Sequence, residues 1–343
     1  MNGALGDLAV SSPVIAAPMA GGPTTPDLVL AAGAAGSLGF LAGGYLSAET
    51  LRGQIAEVRA KSGLFGVNLF APNPVPVDPA AFRDYASAIQ PEADVHGVDL
   101  STVKITEDDD GWSAKIDLLV AEPVPVASFT FGIPTAQIVS RLRAAGTLVV
   151  QTVTSAQEAT LAEAAGVDLL AVQASAAGGH SGTLTPARIP PSIALTELLA
   201  QVRASVSIPL LAAGGIATPG AVSEALRAGA EAVMVGTVLL RADESGASSA
   251  HKAAVADPSR GATLVTRAFT GRPARALRNT FTDRYQDLAP AGYPAVHHLT
   301  RPLRKAAAAA GDPERINLWA GTGHRHATEE PAAKILTRLA ASA

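Results

Sequence analysis

The segment Ala145–Gln173, AGTLVVQTVTSAQEATLAEAAGVDLLAVQ, holds two copies of one phrase. Ala145-Gly146 precedes the apolar run LVVQTV, and Ala165-Gly166 precedes LLAVQA. Between them, Ser155 and Glu158 have the spacing of a capping box at the start of a helical stretch. Glycine closes a helix in the left-handed conformation without a steric penalty, so each phrase predicts a helix, a tight turn and a buried strand. The same phrase stands at Ala35-Gly36 before LGFLA and at Ala228-Gly229 before AVMVGT. Helix starts are marked too, by Thr25-Pro26-Asp27 and Thr218-Pro219, where an N-cap threonine precedes a first-turn proline.

Carried along the chain, the pattern predicts strands near 13–17, 38–42, 65–70, 124–129, 147–153, 169–174, 209–213 and 232–236. Eight near-continuously apolar strands joined by helices predict an α/β fold, a closed parallel (β/α)8 TIM barrel; an open doubly wound sheet is the alternative. Two stretches break the rhythm. Residues 71–123 open on the proline-rich APNPVPVDP and continue to an acidic run at Glu107-Asp108-Asp109-Asp110, and residues from about 245 onward form an Ala-rich helical tail. The expected organisation is a barrel of residues 1–70 and 124–244 with a smaller cap domain of residues 71–123 and 245–343 over one mouth.

Composition narrows the function. Of the 343 residues 48% are hydrophobic and 16% charged, which suits a packed α/β enzyme. The formal net charge is -4 and no long Lys/Arg cluster occurs, so the positive surface that nucleic acid requires is missing. Leu28 to Ala48 is uncharged over a length that could cross a bilayer, but glycines at 33, 36, 39, 43 and 44 divide it into a short helix and a short strand. No membrane partner is expected. The chain has no cysteine, which excludes disulfides, thiolate metal sites and a cysteine nucleophile. MNGALGDLAVSSPVIAAPM lacks a basic start followed by an apolar core, so no secretory signal is read and the expected location is the cytoplasm.

In such a barrel the active site lies at the C-terminal ends of the strands. Strands 7 and 8 end in Ala213-Gly214-Gly215 and in Met234-Val235-Gly236-Thr237, two loops of the kind that bring backbone N–H groups to a phosphate, and Gly214-Gly215-Ile216 runs into the Thr218-Pro219 helix start. Two such loops on adjacent strands favour a phosphate site over empty turns. Asn68 and Gln173 are amides in otherwise buried strands; they either pair with the edge of a flavin or base ring or bond neighbouring backbone. Met19 follows strand 1, and a methionine there is more often core filler than a cofactor contact. The loop QASAAGGHSGTL, Gln173–Leu184, is stripped to small residues around His180, which suits backbone lying against a planar cofactor and a histidine acting in proton transfer or on a substrate anion. No His-x-x-x-His or acidic pair accompanies it, so no metal is expected. His297-His298 and the His324/His326 pair are read as surface residues of the tail.

Together PVIAAPMAGGPTTPDLVLAA, GSLGFLAGGYLS, FGVNLF, VQASAAGGHSGT, LLAAGGI, AVMVGTVLLRADES and NLWAGTG resemble the nitronate monooxygenase family, formerly 2-nitropropane dioxygenases, over nearly the whole chain. The resemblance implies an FMN-dependent (β/α)8 barrel that oxidises alkyl nitronates, propionate 3-nitronate among them, with O2 to a carbonyl compound and nitrite. It implies that Met19 and Asn68 face the flavin, that Gln173 and Gly178 contact its ring or ribityl chain, and that Gly215 and Met234–Thr237 bind its phosphate. His180 matches the active-site histidine. A small-molecule substrate, O2 and a homodimer are the expected partners. Two positions depart from the family pattern: Ser181 stands where an arginine is usual after the histidine, and Ala174-Ser175-Ala176 replaces Gly-x-Glu. The related enoyl-acyl-carrier-protein reductases share the Gly-Gly-His loop and the ARALRN-like segment Ala274–Asn279, and a flavin binder without turnover is a third reading. IMP-dehydrogenase-like barrels need the cysteine that is missing here.

Overall fold

The computed structural model describes residue 8 and residues 10–341. Residues 1–7, 9, 342 and 343 lie outside the described residues, and with them much of the segment read for a secretory signal.

The eight expected strands form at β1 Val14–Ala16, β2 Phe40–Ala42, β3 Gly66–Ala71, β4 Val126–Phe131, β5 Leu148–Val153, β6 Leu169–Gln173, β8 Leu210–Ala213 and β9 Ala232–Val235. They pair in parallel in the order β1-β9-β8-β6-β5-β4-β3-β2. A parallel bridge between Ala16 and Gly39 joins the outer two strands, so the sheet closes into a barrel and the open doubly wound sheet is set aside. Ile15, Phe40, Val126, Val150, Leu169, Leu211 and Met234 fill its inside, while the alternate residues of the same strands pack against the helices. This two-faced burial is why every strand reads as continuously apolar.

The turn chemistry is as expected. Gly36, Gly146, Gly166 and Gly229 all have positive φ (68°, 88°, 87° and 97°), each just past the end of a helix. The Thr25, Ser155 and Thr218 hydroxyls accept from Leu28, Glu158 and Ala221 N–H groups as N-caps. The Glu158 carboxylate does not return to Ser155 as a full capping box would require. It accepts instead from Thr154 N–H (2.5 Å) and hydroxyl (2.8 Å) and from Thr183 hydroxyl and Leu184 N–H (2.9 and 2.7 Å). Buried there, it ties the loop after β6 to the barrel.

The irregular segments divide their residues between two layers. Phe82, Tyr85 and Ile89 from the first pack with Phe269, Phe281, Val296, Leu299 and Leu303 from the tail in a separate core over the barrel mouth. Helix Trp112–Ala121, however, buries Ile116, Leu118 and Leu119 against the barrel, and helix Ala332–Ala340 buries Ile335, Leu336 and Leu339 there. The last helix packs between Pro26–Ala34 and Pro219–Arg227 and completes the outer ring of eight. The segments 71–123 and 245–343 thus each end in a barrel helix, because each ends in an apolar stripe that the barrel strands need covered. A small antiparallel sheet, β10 Thr263–Thr266, β11 Ala274–Leu277 and β7 Gly179–His180, fastens the loop after β6 to the tail.

Candidate active site

A cavity of about 840 Å3 opens at the C-terminal ends of the strands, between the barrel and the tail. All the residues singled out in the sequence line it: Met19, Asn68, Gln173, Gly178, His180, Gly214, Gly215, Met234, Val235, Gly236 and Thr237.

One end is built from backbone. Gly214 and Gly215 take φ of 108° and 79°, conformations that exclude a side chain in practice. The late Gly-Thr-Gly segment folds over the same loops: Gly321 N–H donates to Thr237 Oγ1 (3.0 Å) and Thr322 N–H to the Ala176 carbonyl (3.1 Å). Gly178 is held in this contact, since a Cβ there would lie 2.5 Å from Gly321 N and 2.8 Å from Thr237 Oγ1. Gly178→Ala is therefore expected to cost about 1–3 kcal/mol by overpacking as the three loops part. Equilibrium unfolding checks this, and an unchanged stability would show that the loops absorb the methyl group without parting.

The amides take different roles. Asn68 Oδ1 accepts from Ser128 Oγ (2.9 Å) and Thr130 Oγ1 (3.1 Å), which leaves its NH2 as the unspent end. Gln173 spends both ends on its own loop, donating to the His180 carbonyl (3.2 Å) and accepting from Gly182 N–H (2.7 Å). Both ends of Gln173 thus bond backbone, and its half-buried amide also lines the cavity.

His180 stands among rings. Phe131 and Tyr293 meet it edge-on at centroid distances of 5.6 and 5.9 Å, Trp319 lies at 5.3 Å, and its Nε2 is 2.9 Å from Thr270 Oγ1. Burial, reinforced by the Arg272 and Arg304 guanidiniums, pulls its pKa down to about 3, so the imidazole is neutral. Arg272 is itself fully buried: it donates through Nε to the Ser181 carbonyl (3.3 Å) and through Nη2 to the Thr183 carbonyl, and its Cζ lies 3.9 Å above the Phe131 ring.

Much of the outer wall escaped the sequence reading. Tyr45, Phe70, Phe131, Tyr293, His297, Arg301, Arg304, Asn317 and Trp319 line it. Tyr45, Asp110 and Phe131 are the non-glycine residues with positive φ among those described (67°, 58° and 85°), and all three border the cavity. Backbone strain of about 1–3 kcal/mol per residue is thus concentrated at this mouth. His297 and His324 are buried, which corrects their reading as surface residues. His324 binds the Gly321 and Arg260 carbonyls, while His298 is half-buried and pairs with Asp108 at 2.8 Å. His297, Arg301 and Arg304 recur on one face of helix Ala295–Ala309, a spacing of four and three that could have identified them.

Three histidines are neutral: the half-buried His180 and the buried His251 (down to about 4 through burial) and His297 (pushed down by burial and Arg304). An unfolded histidine titrates near 6.5, so below that pH the unfolded chain takes up protons that the native state refuses, and stability falls with pH. Each contributes about 1.4 kcal/mol per pH unit until its native pKa is reached. The expected result is a Tm that drops steadily from pH 7 to pH 5, less steeply in His251→Gln; a flat Tm would contradict the neutral state.

Comparison with known proteins agrees with this architecture. The family model for nitronate monooxygenase matches residues 2–341. A probable nitronate monooxygenase of Staphylococcus aureus (strain Newman) is 37% identical over 337 residues, 97% of this chain and 94% of its own length. The nitroalkane oxidase of Streptomyces ansochromogenes superposes with a TM-score of 0.92 at 46% identity, over 99% of this chain and 97% of its own. FabK from Thermotoga maritima superposes with a TM-score of 0.75 at 27% identity, over 99% of this chain and 95% of its own. With barrel, glycine loops and neutral histidine in this order, the chain belongs to the nitronate monooxygenase family and is a flavin oxidoreductase.

Proposed function

We propose that the protein uses FMN to oxidise alkyl nitronates, propionate 3-nitronate among them, with O2 to a carbonyl compound and nitrite. The observation that carries this reading is a neutral histidine, His180, in an aromatic cavity that also holds two guanidiniums and adjoins a backbone anion cradle.

The residues present fit FMN. Gly214-Gly215 and Gly236-Thr237 would take its phosphate, where any Cβ at Gly214 would lie 2.8 Å from the Ala174 carbonyl and fill the cradle. The unspent amide of Asn68 and the thioether of Met19 would border its ring. When bound, FMN supplies the electron transfer from substrate and the reduction of O2. The chain's own side chains orient the substrate and exclude water. His180, fixed through Nε2 by Thr270, offers Nδ1 as its free nitrogen. At a pKa of about 3 the imidazole is a weak base, so it removes a carbon-bound proton slowly at neutral pH and more readily hydrogen-bonds an already ionised nitronate. The charges that hold it neutral, Arg272 and Arg304, favour the same anion.

The likeness to FabK prompts a second reading, an NAD(P)H-dependent reductase on the same barrel. Anaerobic mixing of the flavin-loaded protein with propionate 3-nitronate and, separately, with NADH decides between them. Bleaching of the flavin by nitronate is the expected result. Bleaching by NADH alone would establish the reductase, and bleaching by neither would leave a flavin binder.

A further inference from the structure

Arg304 is a desolvated cation without an acid. Burial pulls its pKa down to about 10, and its charged neighbourhood consists of Tyr45, Tyr293 and a second cation, Arg301. Among the described residues no carboxylate forms an ion pair with Arg304 or Arg301. The nearby acids are engaged elsewhere: Asp110 pairs with Lys115 at 2.7 Å and Asp108 with His298 at 2.8 Å. A half-buried charge left uncompensated in the wall of a cavity is costly, so this one calls for an anion from outside the chain.

Hydrogen-bond counting defines what the cation does meanwhile. Arg304 Nε donates to Thr300 Oγ1 (3.0 Å), Nη1 to Asn317 Oδ1 (3.1 Å) and Nη2 to the His297 carbonyl (3.0 Å), with His297 Nδ1 3.2 Å from the same Nη2. A guanidinium has five N–H donors and no acceptor. His297 Nδ1 must therefore accept, and the proton of the neutral ring sits on Nε2. Tyr45 stacks on the ring at 4.3 Å and 3° between planes, which fixes its orientation. Nε2 has no partner among the described residues, yet it is not among the sealed polar atoms, and His297 lines the cavity.

We infer that Arg304 is a positioning residue that locks His297 as an Nε2–H donor facing the cavity, the two forming a subsite for a planar oxyanion of the substrate. The oxyanion is the nitronate itself or a carboxylate elsewhere on the same molecule. Both present two oxygens in a plane, to which the Nε2–H donates with the guanidinium charge behind it. The choice of nitronates as probes rests on the function proposed above; the tautomer does not.

Histidine-labelled, flavin-loaded protein examined by 15N NMR reads the lock directly. The expected spectrum shows His297 with a bare Nδ1 and a protonated Nε2 at neutral pH, unchanged in Arg304→Lys, which still only donates, and lost or mixed in Arg304→Gln. Sodium nitrate, an unreactive planar oxyanion, should shift the His297 Nε2 resonance saturably, about tenfold more weakly in Arg304→Gln. His297→Phe keeps the stack on Tyr45 and should raise KM about tenfold with kcat changed far less. A KM increase shared by ethyl nitronate and propionate 3-nitronate assigns the subsite to the nitronate; one confined to propionate 3-nitronate assigns it to the carboxylate. A protonated Nδ1 in the unsubstituted protein, or nitrate shifts and KM values indifferent to both substitutions, would overturn the inference. Inactivity toward every nitronate together with an intact tautomer and nitrate response would refute the function while leaving the subsite standing.

Discussion

His180→Asn is expected to leave flavin bound and to lower kcat/KM about 10²- to 10⁴-fold for neutral nitroethane, but only about tenfold for ethyl nitronate. The difference follows from what each substrate asks of the imidazole. A neutral nitroalkane must lose a proton from carbon, and His180 offers it a free ring nitrogen while its other nitrogen is held 2.9 Å from Thr270 Oγ1. Asparagine cannot take that proton. An ionised nitronate needs only a hydrogen bond, and an amide still offers one. The cofactor should be indifferent, because the phosphate cradle is backbone from Gly214-Gly215 and Gly236-Thr237 and His180 makes no hydrogen bond to it. Steady-state kinetics with the two substrates and a visible spectrum test this together. Equal losses for both would show that His180 does not act as a base, and loss of the flavin spectrum would make it structural.

The barrel was legible because its signals are local. A helix that ends in Ala-Gly and a strand buried on both faces are recorded within some twenty residues, as at Ala145–Gln173, and four of the helix stops fall on left-handed glycines. The inner half of the site was legible for the same reason, since barrel geometry brings Asn68 inside β3, Gly215 and Thr237 just past β8 and β9, and the loop after β6 that carries His180 to one mouth. The outer half was not. His297 and Arg304 reach the cavity only because the tail helix folds back over the mouth, and Tyr45 does so through a strained loop held by Asp110, 65 residues away. Within a local window only the spacing of His297, Arg301 and Arg304 on one helix face hints at them, and Tyr45 carries no such signal. The ends of the cap segments were hidden likewise: Trp112–Ala121 and Ala332–Ala340 carry ordinary amphipathic stripes, and only the finished ring shows which surface each stripe covers. Gln173 illustrates the limit at the level of one side chain, for an amide at the end of a buried strand is predictable where its two bonds are not.

Arg272→Met is expected to destabilise the protein by about 3–5 kcal/mol although methionine fills much of the same space. The guanidinium is fully buried and binds the carbonyls of Ser181 and Thr183, just past the short strand that carries His180. Its removal leaves two buried acceptors without donors and withdraws the cation from the Phe131 face, 3.9 Å away. It also isolates Glu158, which grips the same loop from the other side through Thr183 hydroxyl and Leu184 N–H and supports the Arg272 charge. The two residues hold one loop between opposite charges, so their effects should not add: in a double-mutant cycle, Arg272→Met with Glu158→Gln should destabilise by less than the sum of the single changes, by at least about 1 kcal/mol. Activity should fall with stability, since the loop carries the histidine and Arg272 helps to hold that histidine neutral. Urea unfolding of the four proteins under saturating flavin measures the coupling. Strict additivity would mean that arginine and glutamate hold the loop independently of one another.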